Sequence, residues 1–135
     1  MPDEPEQTEG SPPIVVIAED EEPIAQALSI IVEDYGLTPL VATHGKQALE
    51  LVRRHHPALV ITDLMMPQMT GSQLIVAVRA EAVAANRNPP PIVLMSAASK
   101  QYMHDAGADA TLVKPFDIRQ VEELLRRFAL SPEAG

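Results

Sequence analysis

Ala58-Leu59-Val60-Ile61-Thr62-Asp63-Leu64-Met65-Met66-Pro67 is the stretch from which the rest of the chain can be read. Apolar residues with two β-branched members run into Thr62 and Asp63, and Pro67 closes the pattern. Such a run reads as a strand covered on both faces, the kind found inside a parallel sheet. The carboxylate of Asp63 therefore stands where a central strand gives way to a loop. Burying a charge without a partner is costly, so Asp63 needs a neighbouring cation, a chemical task, or both.

Moving outward, Ile14-Val15-Val16-Ile17-Ala18 is a second apolar run, and it ends in Glu19-Asp20-Glu21-Glu22. Pro23 then suits the first turn of a helix, where acids also favour the positive dipole end. Ile24, Ala27, Leu28 and Ile31 recur at helical spacing as far as Tyr35-Gly36. Residues 37–43 read as a strand. Residues 46–55 read as a helix with Ala48, Leu51 and Val52 as its apolar stripe, stopped by Pro57. Beyond Asp63, residues 71–85 form a third helical pattern through Leu74, Ile75 and Val78. Asn86-Arg87-Asn88-Pro89-Pro90-Pro91 is a loop, because three prolines cannot continue a helix. Ile92-Val93-Leu94-Met95 is a strand ending at Ser96. Residues 100–105 make at most a short helix closed by Gly107, and residues 110–113 are a last strand ending at Lys114-Pro115. Ile118, Val121, Leu124, Leu125 and Phe128 mark a final helix over residues 118–128. Alternation of strands and helices calls for an α/β fold with helices on both faces of a parallel sheet.

The margins and the composition narrow the function. Residues 1–13 hold four acids, four prolines and no branched aliphatic residue, so they read as a disordered acidic, proline-rich tail. A single domain over residues 14–130 follows, and 131–135 is a short C-terminal tail. The chain carries a net charge of −9, which speaks against a nucleic-acid partner, since phosphate backbones are met by basic surfaces. No cysteine occurs, which removes disulfides and thiolate chemistry. No run reaches the length of a membrane span, and no basic segment leads into an apolar one at the start. The expectation is a cytoplasmic protein with no membrane partner.

Four strand ends carry polar groups: Glu19-Asp20, Asp63, Ser96 and Lys114. In a parallel open sheet these ends share one edge, where ligands bind, and neighbouring strands lie about 4.8 Å apart. Three converging carboxylates repel one another. A divalent cation relieves that repulsion, and a few hard oxygen ligands suit Mg²⁺, which keeps waters and leaves room for a phosphate. Lys114 adds a point charge for phosphate and Ser96 a hydroxyl donor. Taken singly, Asp63 is as good a helix cap, Glu19 and Asp20 are first-turn acids, Ser96 is a turn residue and Lys114 is a solvated lysine. Together they describe a site for placing a phosphoryl group on Asp63.

Ile17-Ala18-Glu19-Asp20-Glu21, Thr62 to Pro67 with Gly71, Ser96-Ala97, and Leu112-Val113-Lys114-Pro115-Phe116 resemble the receiver domain of two-component response regulators. The resemblance implies a doubly wound, flavodoxin-like sheet of five strands in the order 2-1-3-4-5. It implies Asp63 as phospho-acceptor, served by a histidine kinase or a histidine phosphotransfer protein. Mg²⁺ would be held by Asp20, Asp63 and the Met65 backbone carbonyl, with Glu19 acting largely through water. Ser96 and Lys114 would contact phosphoryl oxygens, and the Lys114-Pro115 bond would be cis. Glu19 stands where the family usually has Asp, Thr111 where an aromatic is common, and the spacing from Ser96 to Lys114 implies a shortened fourth helix. A stand-alone domain is expected, signalling by contact with a downstream protein or relaying its phosphate to a histidine on another protein, with a homodimer as one option.

Other classes fit less well. A haloacid dehalogenase-type phosphatase needs a second Asp two residues after the nucleophile, and that position is Met65. A dinucleotide-binding module needs a glycine-rich loop after the first strand, where acids stand instead. The alternative that stays open is a degenerate receiver used only for docking. None of the histidines has metal-site spacing; His55 and His56 read as a helix-end cap, and His44 as isolated.

Overall fold

The structure is a computed structural model, which describes residues 11–97 and 107–130. In chain order it contains β1 (Ile14–Ala18), α1 (Glu22–Asp34), β2 (Thr38–Ala42), α2 (Gly45–His55), β3 (Leu59–Asp63), α3 (Gly71–Ala84), β4 (Ile92–Ser96), β5 (Ala110–Val113) and α4 (Ile118–Leu124). The shortened helix expected over residues 100–105 lies outside the described residues.

All strand pairs are parallel, and the sheet order is β2-β1-β3-β4-β5. The chain thus steps from β1 to one side and then returns to the other, which puts the topological switch between β1 and β3. Every residue of β3 and β4 is buried, whereas the edge strands β2 and β5 are only partly covered. Pro39 sits in the edge strand β2, where a missing N–H disturbs least.

Two-residue periodicity divides the apolar runs between two cores. Val16, Ala18, Val60, Ile92 and Leu94 face α2 and α3. Val15, Ile17, Leu59, Ile61, Val93, Met95 and Leu112 face α1 and α4. Each central strand thus buries both faces, and a fully buried Ile61 side chain contributes about 1.5–3 kcal/mol relative to an exposed one.

Three helical details differ from the expectation. The inward stripe of α1 is Ala25, Leu28, Ile31 and Val32, with Ala27 exposed. That of α2 is Ala48, Leu49 and Val52, with Leu51 half-buried against the same core. In both cases the helix is rolled by one residue, because its lean on the sheet picks which edge of the apolar stripe goes inside. The last helix is not uniform. After Leu124 it widens into a π-helical turn, Leu125–Ala129, with Leu130 N–H donating to Leu125 O at 2.9 Å. Adjacent Leu124 and Leu125 are both buried, and a wider turn brings two consecutive side chains to one face.

Local chemistry sets the helix starts. Thr70 and Asp117 form reciprocal capping boxes with Gln73 and Gln120. His44 is no isolated residue: its Nδ1 accepts the Gln47 N–H at 3.2 Å as the N-cap of α2. His56 ends α2 in the left-handed region at φ 48°, and its backbone N–H donates to Val52 O.

Candidate functional site

The switch point dictates what meets at the C-terminal edge. β1 and β3 are neighbours in register, Ala18 beside Thr62, so the residues that follow, Glu19-Asp20 and Asp63, emerge side by side. One oxygen from each of Glu19, Asp20 and Asp63 lies within 4.8 Å of the others. β4 and β5 then bring up the cation: Ser96 pairs with Val113, and Lys114 N–H donates to Ser96 O at 2.8 Å. The Lys114 ammonium reaches back to Glu19 Oε1 at 3.1 Å and Asp63 Oδ2 at 3.4 Å. The Lys114-Pro115 bond is cis, as the resemblance implies.

Burial sorts these groups. Glu19 is 1% exposed and Asp63 7%, whereas Asp20 is exposed to solvent. Both oxygens of Glu19 are engaged, one by Lys114 and the other by Glu21 N–H at 3.1 Å. Burial pushes the Glu19 carboxyl above its ordinary value, against the pull of those two hydrogen bonds. Burial works against the Lys114 charge too, but the bond to Glu19 and the charges of Asp63 and Glu19 outweigh it and hold the ammonium above the usual lysine value. One lysine faces three carboxylates. Two unit charges 4.8 Å apart repel by about 1 kcal/mol in water and about 3 kcal/mol at an effective dielectric of 20. The cluster is therefore undercompensated.

The backbone under Asp63 is fixed by close packing. Leu64 N–H donates to Met95 O at 2.9 Å, and Gly71 N–H to Leu64 O at 2.8 Å. Thr62 Oγ1 donates to Asp63 O at 2.9 Å. A Cβ on Gly71 would collide with Asp63 O and with Leu94 Cδ1 at 2.7 Å, so only glycine lets α3 start this close to the strand end. The role of Thr62 was not foreseen. Gly71 was visible only as part of a motif, because nothing in helix propensity asks for glycine there.

Of the site residues expected, Glu19, Asp20, Asp63 and Lys114 are brought together. Ser96 is buried at the end of β4, one position beyond the Met95 that pairs with Asp63. Met65 lies in the loop after β3 and is 66% exposed. Glu19 meets Lys114 directly, a contact the spacing of residues had not suggested.

A family model for the response regulator receiver domain matches residues 15–126. The chain belongs to that family. Among curated relatives, response regulator Rre1 of Synechocystis sp. is 30% identical over 129 residues, covering 91% of this chain and 54% of that protein. Transcriptional regulatory protein PdtaR of Mycobacterium tuberculosis is 38% identical over 109 residues, covering 77% of this chain and 50% of that one. Among solved structures, chemotaxis response regulator CheY4 of Vibrio cholerae superposes with a TM-score of 0.75 at 28% identity, covering 87% of this chain and 98% of that one. The receiver domain spans about half the length of the curated relatives named here. No described helix is long and apolar enough to cross a membrane.

Proposed function

We propose that this receiver is a working phospho-acceptor, taking a phosphoryl group from a phosphohistidine of a kinase or phosphotransfer protein onto Asp63. The observation that carries the reading is the Lys114 ammonium 3.4 Å from Asp63 Oδ2 within a cluster of three carboxylates. Asp63 oxygen attacks phosphorus, the P–N bond breaks, and the imidazole nitrogen keeps the electron pair. The product is an acyl phosphate on Asp63. Lys114 then shares its charge with the new phosphoryl oxygens, and the Ser96 hydroxyl donates to one of them. Glu19, bonded through both oxygens, holds the ammonium in place before the donor arrives.

The donor set fits Mg²⁺: it consists of hard oxygens, is too acidic for one lysine, and is open to solvent at Asp20. Asp20, Asp63 and the Met65 carbonyl would hold it, with Glu19 adding its charge to the same cluster. When bound, Mg²⁺ offsets the charge of the carboxylates and of the incoming phosphoryl oxygens. The setting we assign is cytoplasmic, and output passes to a downstream protein.

The test is intact-mass spectrometry after incubation with acetyl phosphate and Mg²⁺. The native chain should gain one phosphoryl group and Asp63→Asn none. Labelling of that variant would mean another acceptor. No labelling of the native chain would favour a domain that only docks.

A further inference from the structure

A cleft well away from Asp63 remains unassigned. It lies beside the N-terminal ends of β3 and β4, between the last turns of α2 and α3 and the loop before β4, and measures about 790 Å³. Its floor is apolar, made by Val52, Pro57, Val78, Ala82 and Pro90. Its rim carries Arg53 and Arg87. Arg53 is bound by Glu81 through two hydrogen bonds at 2.6 and 2.9 Å. Arg87 has no carboxylate among the described residues; its terminal nitrogen sits 2.6 Å from a ring nitrogen of His56. Neither protonation state of an imidazole is an anion, so His56 does not balance the Arg87 charge; burial and that charge favour its neutral form. A guanidinium over an apolar floor, with no acid of its own, is a place for a carboxylate carried on an apolar chain.

The chain carries such a segment close by. We propose that residues 1–10 dock in this cleft, carboxylates to Arg87 and prolines to the floor. They hold Asp3, Glu4, Glu6 and Glu9 with Pro2 and Pro5 interspersed. The point of departure is adjacent: Ala58, next to the floor residue Pro57, donates its N–H to Ile14 O at 2.8 Å. Ile14 packs against the same core as Val52, Val78 and Ala82. Ten residues span up to about 35 Å when extended, and the segment leaves the fold beside Pro57, a residue that lines the cleft. Tethering at this range supplies an effective concentration on the order of millimolar, which a weak acidic contact with arginine can use. Docking joins the ends of α2 and α3 at the edge of the sheet remote from Asp63, so it stands or falls independently of phosphorylation.

Hydrogen exchange decides it, comparing the full chain with one lacking residues 1–10. The amides of His56 and Arg87, bonded to Val52 O at 3.0 Å and Ala82 O at 2.9 Å, should exchange several-fold faster without the tail. Ile61 in the core serves as the control and should not change. The difference should vanish in about 0.5 M salt, where the Debye length falls to a few ångströms, and in a full chain bearing Asp3→Asn, Glu4→Gln, Glu6→Gln and Glu9→Gln. Equal exchange in the two chains overturns the proposal. A difference that grows with protein concentration also overturns it, because the occupant is then the tail of a second copy. Protection that appears only with added phosphate or citrate, equally in both chains, assigns the cleft to a small anion instead.

Discussion

Lys114 and Glu19, 95 residues apart in the chain, meet through a bond of 3.1 Å between Nζ and Oε1. Glu19 has no side-chain exposure and Lys114 has 17%. The first strand and the last are thereby tied to one charge balance, and Asp63 sits within it.

Removing the lysine should expose that balance. Lys114→Ala leaves Glu19 and Asp63 facing each other with no cation. We expect a loss of about 1–3 kcal/mol in urea unfolding at pH 7, below the 3–5 kcal/mol of a sealed pair, because water reaches the edge through Asp20. Millimolar Mg²⁺ should restore much of it. Unchanged stability in the variant would show that the carboxylates do not depend on Lys114.

Mg²⁺ itself should stabilise the native chain. A ligand bound only by the folded state adds about 1.4 kcal/mol at ten times its Kd. Asp20→Ala should weaken that gain, since it removes the solvent-facing carboxylate of the cluster. Thermal melts with and without Mg²⁺ measure both, and equal shifts in the two proteins would remove Asp20 from the ligand set.

Two glycines should respond differently to alanine. Gly71→Ala drives a Cβ into Asp63 O and Leu94 and should cost about 1–3 kcal/mol through overpacking, while also slowing phosphorylation because Asp63 must shift. Gly36 has φ +76° but open space around it. Gly36→Ala should cost about 1–2 kcal/mol of backbone strain and leave phosphorylation at its native rate. Denaturation and labelling rates together separate the two.

The acid limb of the stability profile should carry the mark of Glu81. Its hydrogen bonds from Arg53 hold the Glu81 carboxyl below its ordinary value of 4.5. The folded pKa is the lower one, so the contribution is complete above the ordinary value and is lost as pH falls through the depressed one. Both side chains are about half exposed, so the effect is small and salt-sensitive. Glu81→Gln should lower the melting midpoint slightly at pH 7 in low salt, and the gap to the native chain should close in strong acid. A gap that persists there would point to packing in place of charge.

Much of this was legible in one dimension. Apolar runs such as 58–61 and 92–95, punctuated by proline, glycine and acids, already imply strands buried on both faces, because burial is read residue by residue along an element. Glu19, Asp20, Asp63, Ser96 and Lys114 were recognisable for the same reason: each closes a strand, and in a parallel sheet all such ends share one edge. Pairing across the chain was not legible in this way. That Leu49 goes inward and Leu51 only partly, that Gly71 must lack a Cβ, that His44 caps α2 and that Glu19 grips Lys114 depend on how helices lean on the sheet. They depend also on which strands become neighbours. Those relations are distances between segments far apart in sequence, set when the two cores close, and no local pattern of residues encodes them.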